Sequence, residues 1–140
     1  MLFLALAALL RASTAELPDE TWNCRNQIEV WCAADGCAAA PPGEFTPMDI
    51  NASADHGFSV CAYTGCWESE AKPARANGRV LWTADGVAFS TMPDGGMEAD
   101  VTLLIIEQDG VGFVRVGGLA TPLLCARTGP DLRSEDEGGQ

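Results

Sequence analysis

Apolar and polar residues alternate along most of this chain in short runs that turn-forming residues separate. The alternation is clear at 27–32, where Ile28, Val30 and Cys32 are predicted to face inward and Trp31 outward beside Glu29. No stretch shows the 3.6-residue apolar period of a helix over helical length. Turn signals recur about every 8 to 12 residues, a spacing typical of an all-β sandwich or barrel.

The runs that follow predict a succession of hairpin-connected strands. Asp85-Gly86 and Asp109-Gly110 are the strongest hairpin signals, and Gly117-Gly118 marks a further turn. The segments 72–77 and 93–96 are predicted to be loops. Strands are predicted at 27–32, 45–52, 57–62, 66–70, 79–83, 87–91, 99–107, 111–116 and 119–126.

The simplest topology for these strands is an antiparallel meander of about eight short strands. We predict a small closed or flattened barrel, stapled by disulfides, with a β-sandwich as the alternative. Closure removes the exposed edges that promote aggregation. The run 101–106 is apolar on both faces, which fits a central strand or one that is covered on its outer side.

A six-residue pattern, C-A-x-x-G-C, occurs twice and contains four of the six cysteines. The first copy is 32–37 and the second is 61–66. Strand-like residues precede each copy, and a glycine before the second cysteine supplies the positive φ that a tight reversal needs. Each copy therefore predicts a hairpin tip that a short-range disulfide closes.

The favoured pairing is Cys32–Cys37, Cys61–Cys66 and Cys24–Cys125, the last joining the first strand to the last. Six cysteines allow 15 pairings, and the main alternative links the hairpins, Cys32 or Cys37 to Cys61 or Cys66. Zinc could use the same four cysteines. It suits a reducing compartment, however, and the leader described next predicts export, so no metal or cofactor is expected.

The two ends of the chain differ in composition from the middle. Residues 1–10 are entirely apolar, and Arg11 and a small-residue run follow, so 1–15 is predicted to be a signal peptide. A buried N-terminal helix is the alternative. Residues 16–127 are predicted to form a single β domain and 128–140 a disordered acidic tail. A periplasmic or secreted protein without a membrane anchor is expected.

The chain is strongly acidic, with a formal net charge of −12 at pH 7. Removal of 1–15 takes away one arginine and no acid, which leaves −13. Such a surface repels nucleic acid and anionic lipid, and it suits a soluble protein or one that meets a basic partner. A monomer is expected.

Aromatic residues near the hairpin tips are the candidate partner-binding residues: Trp31, Tyr63 and Trp67. Rigid, exposed aromatic side chains anchor protein or carbohydrate partners because little entropy is lost on contact. The alternative is that they cover the outer faces of strands or pack over the disulfides.

Catalytic and metal sites have weaker signals. His56, the only histidine, lies near Ser53, Asp55 and Ser59, but no nucleophile elbow accompanies them. Carboxylates around a Gly-Gly turn suggest calcium, although EF-hand spacing is absent. These are Asp94, Glu98 and Asp100. We therefore predict no catalytic residues and no metal site.

The sequence favours a non-enzymatic, exported binding or inhibitor module that presents its hairpin tips and acidic surface to a partner. A basic protein such as a lysozyme is a physically sensible partner. Small exported barrels with an end-to-end disulfide, such as periplasmic inhibitors of c-type lysozyme, are similar in size and layout. This chain contains none of their diagnostic motifs, so no functional residue is assigned from the resemblance. The alternative is a small barrel that carries an apolar ligand.

Overall fold

A computed structural model describes residues 20–92 and 94–128, and every regular element among them is a β-strand. The all-β class is confirmed. Within this part of the chain no helix has the length and apolar character needed to cross a membrane. The strands are β1 (Thr21–Arg25), β2 (Val30–Ala33), β3 (Gly36–Ala39), β4 (Asp49–Ser53), β5 (Gly57–Ala62), β6 (Gly65–Ser69), β7 (Ala74–Ala76), β8 (Arg79–Val87), β9 (Ala99–Ile106), β10 (Val111–Val116) and β11 (Leu119–Thr128).

The strands form one antiparallel sheet in the order β6-β5-β4-β1-β11-β10-β9-β8-β7, with the β2–β3 hairpin attached to β11. Two meanders, β4–β6 and β7–β11, are joined because β1 pairs with both β4 and β11. The sheet curls into a half-barrel that is open rather than closed. The first and last strands are thus neighbours at its centre.

The opening of the half-barrel lies between β6 and β8. Trp67 of β6 makes an isolated antiparallel bridge with Phe89, which follows β8. Backbone bonds between Cys66 and Ser90 reinforce this contact: Ser90 N–H donates to Cys66 O, and Cys66 N–H donates to Ser90 Oγ. The predicted strand at 87–91 is reduced to this bridge.

The concave face of the sheet carries the hydrophobic core. Alternate residues of each strand point inward, as the period of two requires. Trp22, Trp82, Phe89, Met48, Ile50, Leu103 and Ile105 are among the largest side chains that the fold buries fully. Trp82 Nε1 donates to Ser53 O at 3.1 Å, which satisfies its polar atom inside the core.

Two of the predicted turns are correct and one is wrong. Gly110 and Gly117 have φ of 72° and 56° and lie in the β9–β10 and β10–β11 turns. Asp85-Gly86, however, lies inside β8, where the register shifts between Ala84 and Val87. Gly86 has φ 61° there, and its N–H donates to Asp100 Oδ1. A bulge and a hairpin both use a positive-φ glycine, and here the residue serves a bulge.

The three disulfides favoured from the sequence are present: Cys24–Cys125, Cys32–Cys37 and Cys61–Cys66. Each joins residues that lie directly opposite each other on antiparallel neighbours. The first ties β1 to β11 across 101 positions of sequence. Three disulfides in one small domain indicate an oxidising compartment.

The N-terminal part of the sheet differs most from prediction. β1 was not predicted, although its residues alternate in polarity, and β2 begins at Val30 rather than at residue 27. Ile28 was expected to face inward but is exposed, whereas Glu29 is buried. The segment 72–77, predicted as a loop, contains the short strand β7. The predicted signal peptide (1–15) and the predicted tail after Thr128 lie outside the described residues.

Candidate binding surface at the disulfide-capped end

Strand direction places the two disulfide-closed hairpins at one end of the sheet. Because neighbouring strands are antiparallel, the tips of β2–β3 and β5–β6 point the same way as the β10–β11 turn and the β8–β9 loop. We call this region the disulfide-capped end. Three of the large exposed apolar side chains belong to it: Trp31, Tyr63 and Met92.

The β2–β3 hairpin is fastened to the start of β11 rather than projecting freely. Thr121 Oγ1 accepts from Val30 N and donates to Val30 O. Cys32 N–H donates to Gly118 O at 2.8 Å. With the Cys32–Cys37 disulfide closing its tip, the hairpin is held at both of its ends.

Trp31 is exposed on one side and held on the other. Its side chain is 44% exposed, and its indole Nε1 donates to Glu29 Oε1 at 2.5 Å. The ring also lies against Gly118, where a Cβ would be 3.4 Å from the indole. The exposed face of the Trp31 ring is therefore fixed in one orientation.

Glu29 and Asn26 organise the loop before β4, and sequence reasoning missed both. Glu29 Oε2 accepts from Thr46 N, while Asn26 accepts from Met48 N and donates to Thr46 O. Burial raises the pKa of the Glu29 carboxyl, but the bonds from Thr46 and Trp31 lower it more, so its pKa lies below the ordinary value. No sequence signal distinguishes a buried glutamate at this position from an exposed one.

Tyr63 lies at the tip of the β5–β6 hairpin and is 52% exposed. Its φ of 59° lies in the left-handed region, which is uncommon for a non-glycine residue. The positive φ of this turn was predicted for the glycine before the second cysteine, but Gly65 has no positive φ, so the prediction is wrong for this copy. The Cys61–Cys66 disulfide closes the turn beneath it. A shallow cleft of about 370 Å³ beside the ring is also lined by Arg25 and Asp49.

Trp67 does not belong to this surface, which corrects its candidacy as a partner-binding residue. It lies opposite Val60 on β5, points into the core and is 4% exposed. Its Nε1 donates to Met97 O at 2.8 Å, and its ring packs on Phe89 at 4.5 Å between centroids. The sequence could have predicted this burial. Phe58, Val60 and Ala62 alternate as inward-facing residues of β5, and the cross-strand partner of an inward-facing residue also faces inward.

The disulfide-capped end carries several exposed carboxylates. They come from the β2–β3 tip, the β8 bulge and the β8–β9 loop, and the described cations nearest to them are Arg25 and Arg115. All of the following carboxylates are exposed: Asp35, Asp85, Asp94, Glu98 and Asp100. The opposite end also carries carboxylates, namely Glu20, Asp55, Glu70, Glu107 and Asp109, but it has four cations beside them: Lys72, Arg75, Arg79 and Arg127. The net charge is therefore more negative at the disulfide-capped end.

Asp94, Glu98 and Asp100, the carboxylates considered for calcium, are not gathered into a metal site. Asp100 Oδ1 accepts from Gly86 N at 2.8 Å, so part of its acceptor capacity serves the β8 bulge. Within the described ranges no group of three His, Cys, Asp or Glu side chains is arranged to hold a metal ion.

His56 and its neighbouring serines lie at the opposite end, around a cleft of about 480 Å³. Ser53 Oγ accepts from His56 N at 2.9 Å, so this hydroxyl caps the β4–β5 turn. Ser59 Oγ contacts Glu68 Oε1 at 3.4 Å and Cys61 Sγ at 3.3 Å. None of these three contacts joins a serine hydroxyl to the imidazole, as nucleophilic catalysis requires.

No family model, curated protein or solved structure matches the chain. The surface of the disulfide-capped end is therefore the basis for inferring a function.

Proposed function

We propose that this protein is an exported, non-enzymatic binding module that recognises a basic protein through its disulfide-capped end. The observation that carries the proposal is the placement of Trp31 and Tyr63, two exposed aromatic side chains on disulfide-closed hairpins, at the more acidic end of the molecule. An oxidising compartment is indicated by the disulfides, and a periplasmic or secreted location is part of the proposal.

The chemistry of the two aromatic residues supports a role as anchors. Tryptophan and tyrosine dominate the energy of many interfaces because they bury a large area and lose few rotamers. Trp31 loses still less, since Glu29 and Gly118 already fix its ring.

The carboxylates around the aromatic residues would set the class of partner. A cluster of one sign speeds the encounter with a protein of the opposite sign and penalises partners of the same sign. Lysozymes are strongly basic, so an inhibitor of lysozyme is the special case that we propose to test first.

The alternative, a carrier of an apolar ligand, has less support. The concave face that would enclose a ligand is occupied by large side chains such as Trp22, Trp82 and Phe89, each no more than 2% exposed. Native mass spectrometry of protein purified from its own host would reveal a bound molecule if the carrier reading were right.

The test measures the activity of a c-type lysozyme with the oxidised protein in excess, at about 10 mM and about 300 mM ionic strength. We expect inhibition at low salt that weakens at high salt, because the Debye length falls from about 30 Å at 0.01 M to below 8 Å above 0.15 M. Full enzyme activity at low salt would rule out the inhibitor. Absence of a complex with lysozyme in size-exclusion chromatography would count against a basic partner of this type.

Matched variants locate the contact. Asp35→Asn and Asp55→Asn remove one exposed carboxylate from opposite ends of the molecule. We expect Asp35→Asn to weaken the complex several-fold and Asp55→Asn to leave it within twofold, because steering and contact both act locally at physiological salt. Equal effects would show that only net charge matters.

A further inference from the structure

The outer face of strands β7–β11 is apolar, although the same strands bury their other face in the core. Residues directly opposite each other on successive strands form one continuous row across five strands. The row consists of Ala74, Leu81, Leu104, Phe113 and Pro122. Leu124 lies on the same face of β11, two positions beyond Pro122. Leu124 and the row together form one apolar patch.

Two members of the patch are strongly exposed: Phe113 is 47% and Leu124 is 52% exposed. Leu104 and its neighbour Ile106 are half-buried. Sheets in which both faces of a strand are apolar are ordinarily covered on both sides by other layers. Within the described part of the chain, no layer covers Phe113 or Leu124. We call this side of β7–β11 the outer apolar face.

Arginines surround the outer apolar face. Arg79 lies opposite Ile106, Arg25 lies opposite Leu124, and Arg115 follows Phe113 on the same side of β10. Arg79 and Arg115 form no ion pair with any carboxylate in 20–92 or 94–128, and each instead bonds a backbone carbonyl of a nearby turn. Arg25 is 4.0 Å from Asp49, at the limit of an ion pair.

Arg79 and Arg115 differ in this respect from Arg75 and Arg127. Arg75 and Arg127 are engaged with Glu20 and Glu107 at distances of 2.9 to 3.6 Å. Arg79 and Arg115 are therefore not held in ion pairs within the described residues, whereas Arg75 and Arg127 are. Arg115 shares a cleft with Asp85, Glu98 and Asp100, and the carboxylates of a partner would compete with these three.

We propose that the outer apolar face is a second docking site, which binds an acidic amphipathic helix of a partner protein. The apolar row would receive the helix's hydrophobic stripe, and Arg25, Arg79 and Arg115 would pair with acidic residues flanking that stripe. A second copy of this chain fits less well, because in a twofold contact the same face packs on itself, and the apolar row would then be flanked by arginines from both copies. The site uses neither of the proposed anchors, Trp31 and Tyr63, and takes a partner of the opposite charge.

The test is selection from a displayed library of random 16-residue peptides on the oxidised protein, followed by affinity measurement of the selected peptides. We expect Leu, Phe or Trp at helical spacing with Asp and Glu beside them. Phe113→Thr should weaken the selected peptides at least tenfold, and Arg115→Glu should do the same without removing an apolar side chain. Ile28→Thr, which removes an apolar side chain as exposed as Phe113 from outside the row, is the control and should leave affinity within twofold.

Several results would overturn the proposal. Enrichment of basic peptides, no enrichment, or peptides that bind Phe113→Thr as tightly as the wild type each contradict it. Binding to vesicles of phosphatidylcholine with phosphatidylglycerol that Phe113→Thr abolishes would assign the face to a membrane instead. A dimer in analytical ultracentrifugation that Phe113→Thr dissociates would assign it to a second copy. Loss of lysozyme binding alone would leave this site untouched, so the two proposals fail separately.

Discussion

The indole N–H of Trp31 donates to the buried carboxylate of Glu29, so an exposed aromatic ring is held by a charge that the fold shields from solvent. The same carboxylate accepts from the backbone N–H of Thr46 and fastens the loop before β4. One side chain thus positions the proposed anchor and the loop beneath it.

Glu29→Gln should destabilise the protein by about 1 to 3 kcal/mol and release Trp31. The amide keeps the shape, but its nitrogen cannot accept one of the two hydrogen bonds, which leaves a buried donor unpaired. The measurement is chemical denaturation, with near-ultraviolet circular dichroism and fluorescence reporting the indole environment. Glu44→Gln, at an exposed position in the same loop, should change neither quantity.

Glu29 should also make the stability of the protein depend on pH. Its pKa is lower in the folded protein than in the unfolded chain, so its contribution is present above the unfolded value, about 4.3, and is lost as the pH falls through the lower folded value. The stability difference between wild type and Glu29→Gln should therefore shrink as the pH falls from 6 toward 3. A difference that stays constant over that range would contradict this assignment.

Gly110→Ala and Gly78→Ala separate backbone strain from steric overlap. The two glycines have φ of 72° and 73°, but a Cβ at Gly78 meets nothing within 4 Å, whereas one at Gly110 would overlap the carbonyl oxygen of Cys125. Gly78→Ala should cost about 1 to 2 kcal/mol, the strain of the left-handed conformation. Gly110→Ala should cost clearly more in urea denaturation, and equal costs would contradict the overlap.

The turns and hairpin tips were predictable because their signals are local. Gly110 and the two C-A-x-x-G-C segments need a positive φ or a short cross-strand link that a few neighbouring residues specify. Asp85-Gly86 was misread since a local signal cannot say whether the chain reverses or continues past a bulge. The position of β1 beside β11 depends on pairings between residues 99 to 107 positions apart, from Arg25 with Leu124 to Thr21 with Thr128, which alternation alone does not encode.

The candidate site was predictable only in part, for the same reason. Trp31 and Tyr63 are exposed as expected, but Glu29, which holds Trp31, is buried through contacts with Thr46 from a distant loop. The burial of Trp67 could have been found from the register of the second hairpin. The outer apolar face appeared in the sequence only as the two-sided run 101–106, without its arginines.

The disulfides should contribute unequally to stability. Replacing Cys24 and Cys125 by alanine releases a loop of 101 positions, for which chain entropy predicts a loss of about 4 to 5 kcal/mol. Replacing Cys32 and Cys37 should cost about 2 kcal/mol on the same scale. Urea denaturation of the two double variants, both under oxidising conditions, gives the comparison. A larger loss for the short bridge would contradict the entropic account.

Trp31→Ala should mainly weaken binding, whereas Trp67→Ala should mainly lower stability. Trp67 is 4% exposed, packs on Phe89 and bonds Met97 O, so its truncation should cost about 3 to 5 kcal/mol in unfolding free energy. Trp31 has 44% of its surface exposed, so Trp31→Ala should lower the unfolding free energy by about 1 kcal/mol or less. The same variant should lower the affinity for the basic partner at least tenfold, as truncation of an interface anchor does. Denaturation and lysozyme binding are measured on both variants. If Trp31→Ala binds normally, the β2–β3 hairpin is not part of the contact, and Tyr63→Ala becomes the decisive variant for the disulfide-capped end.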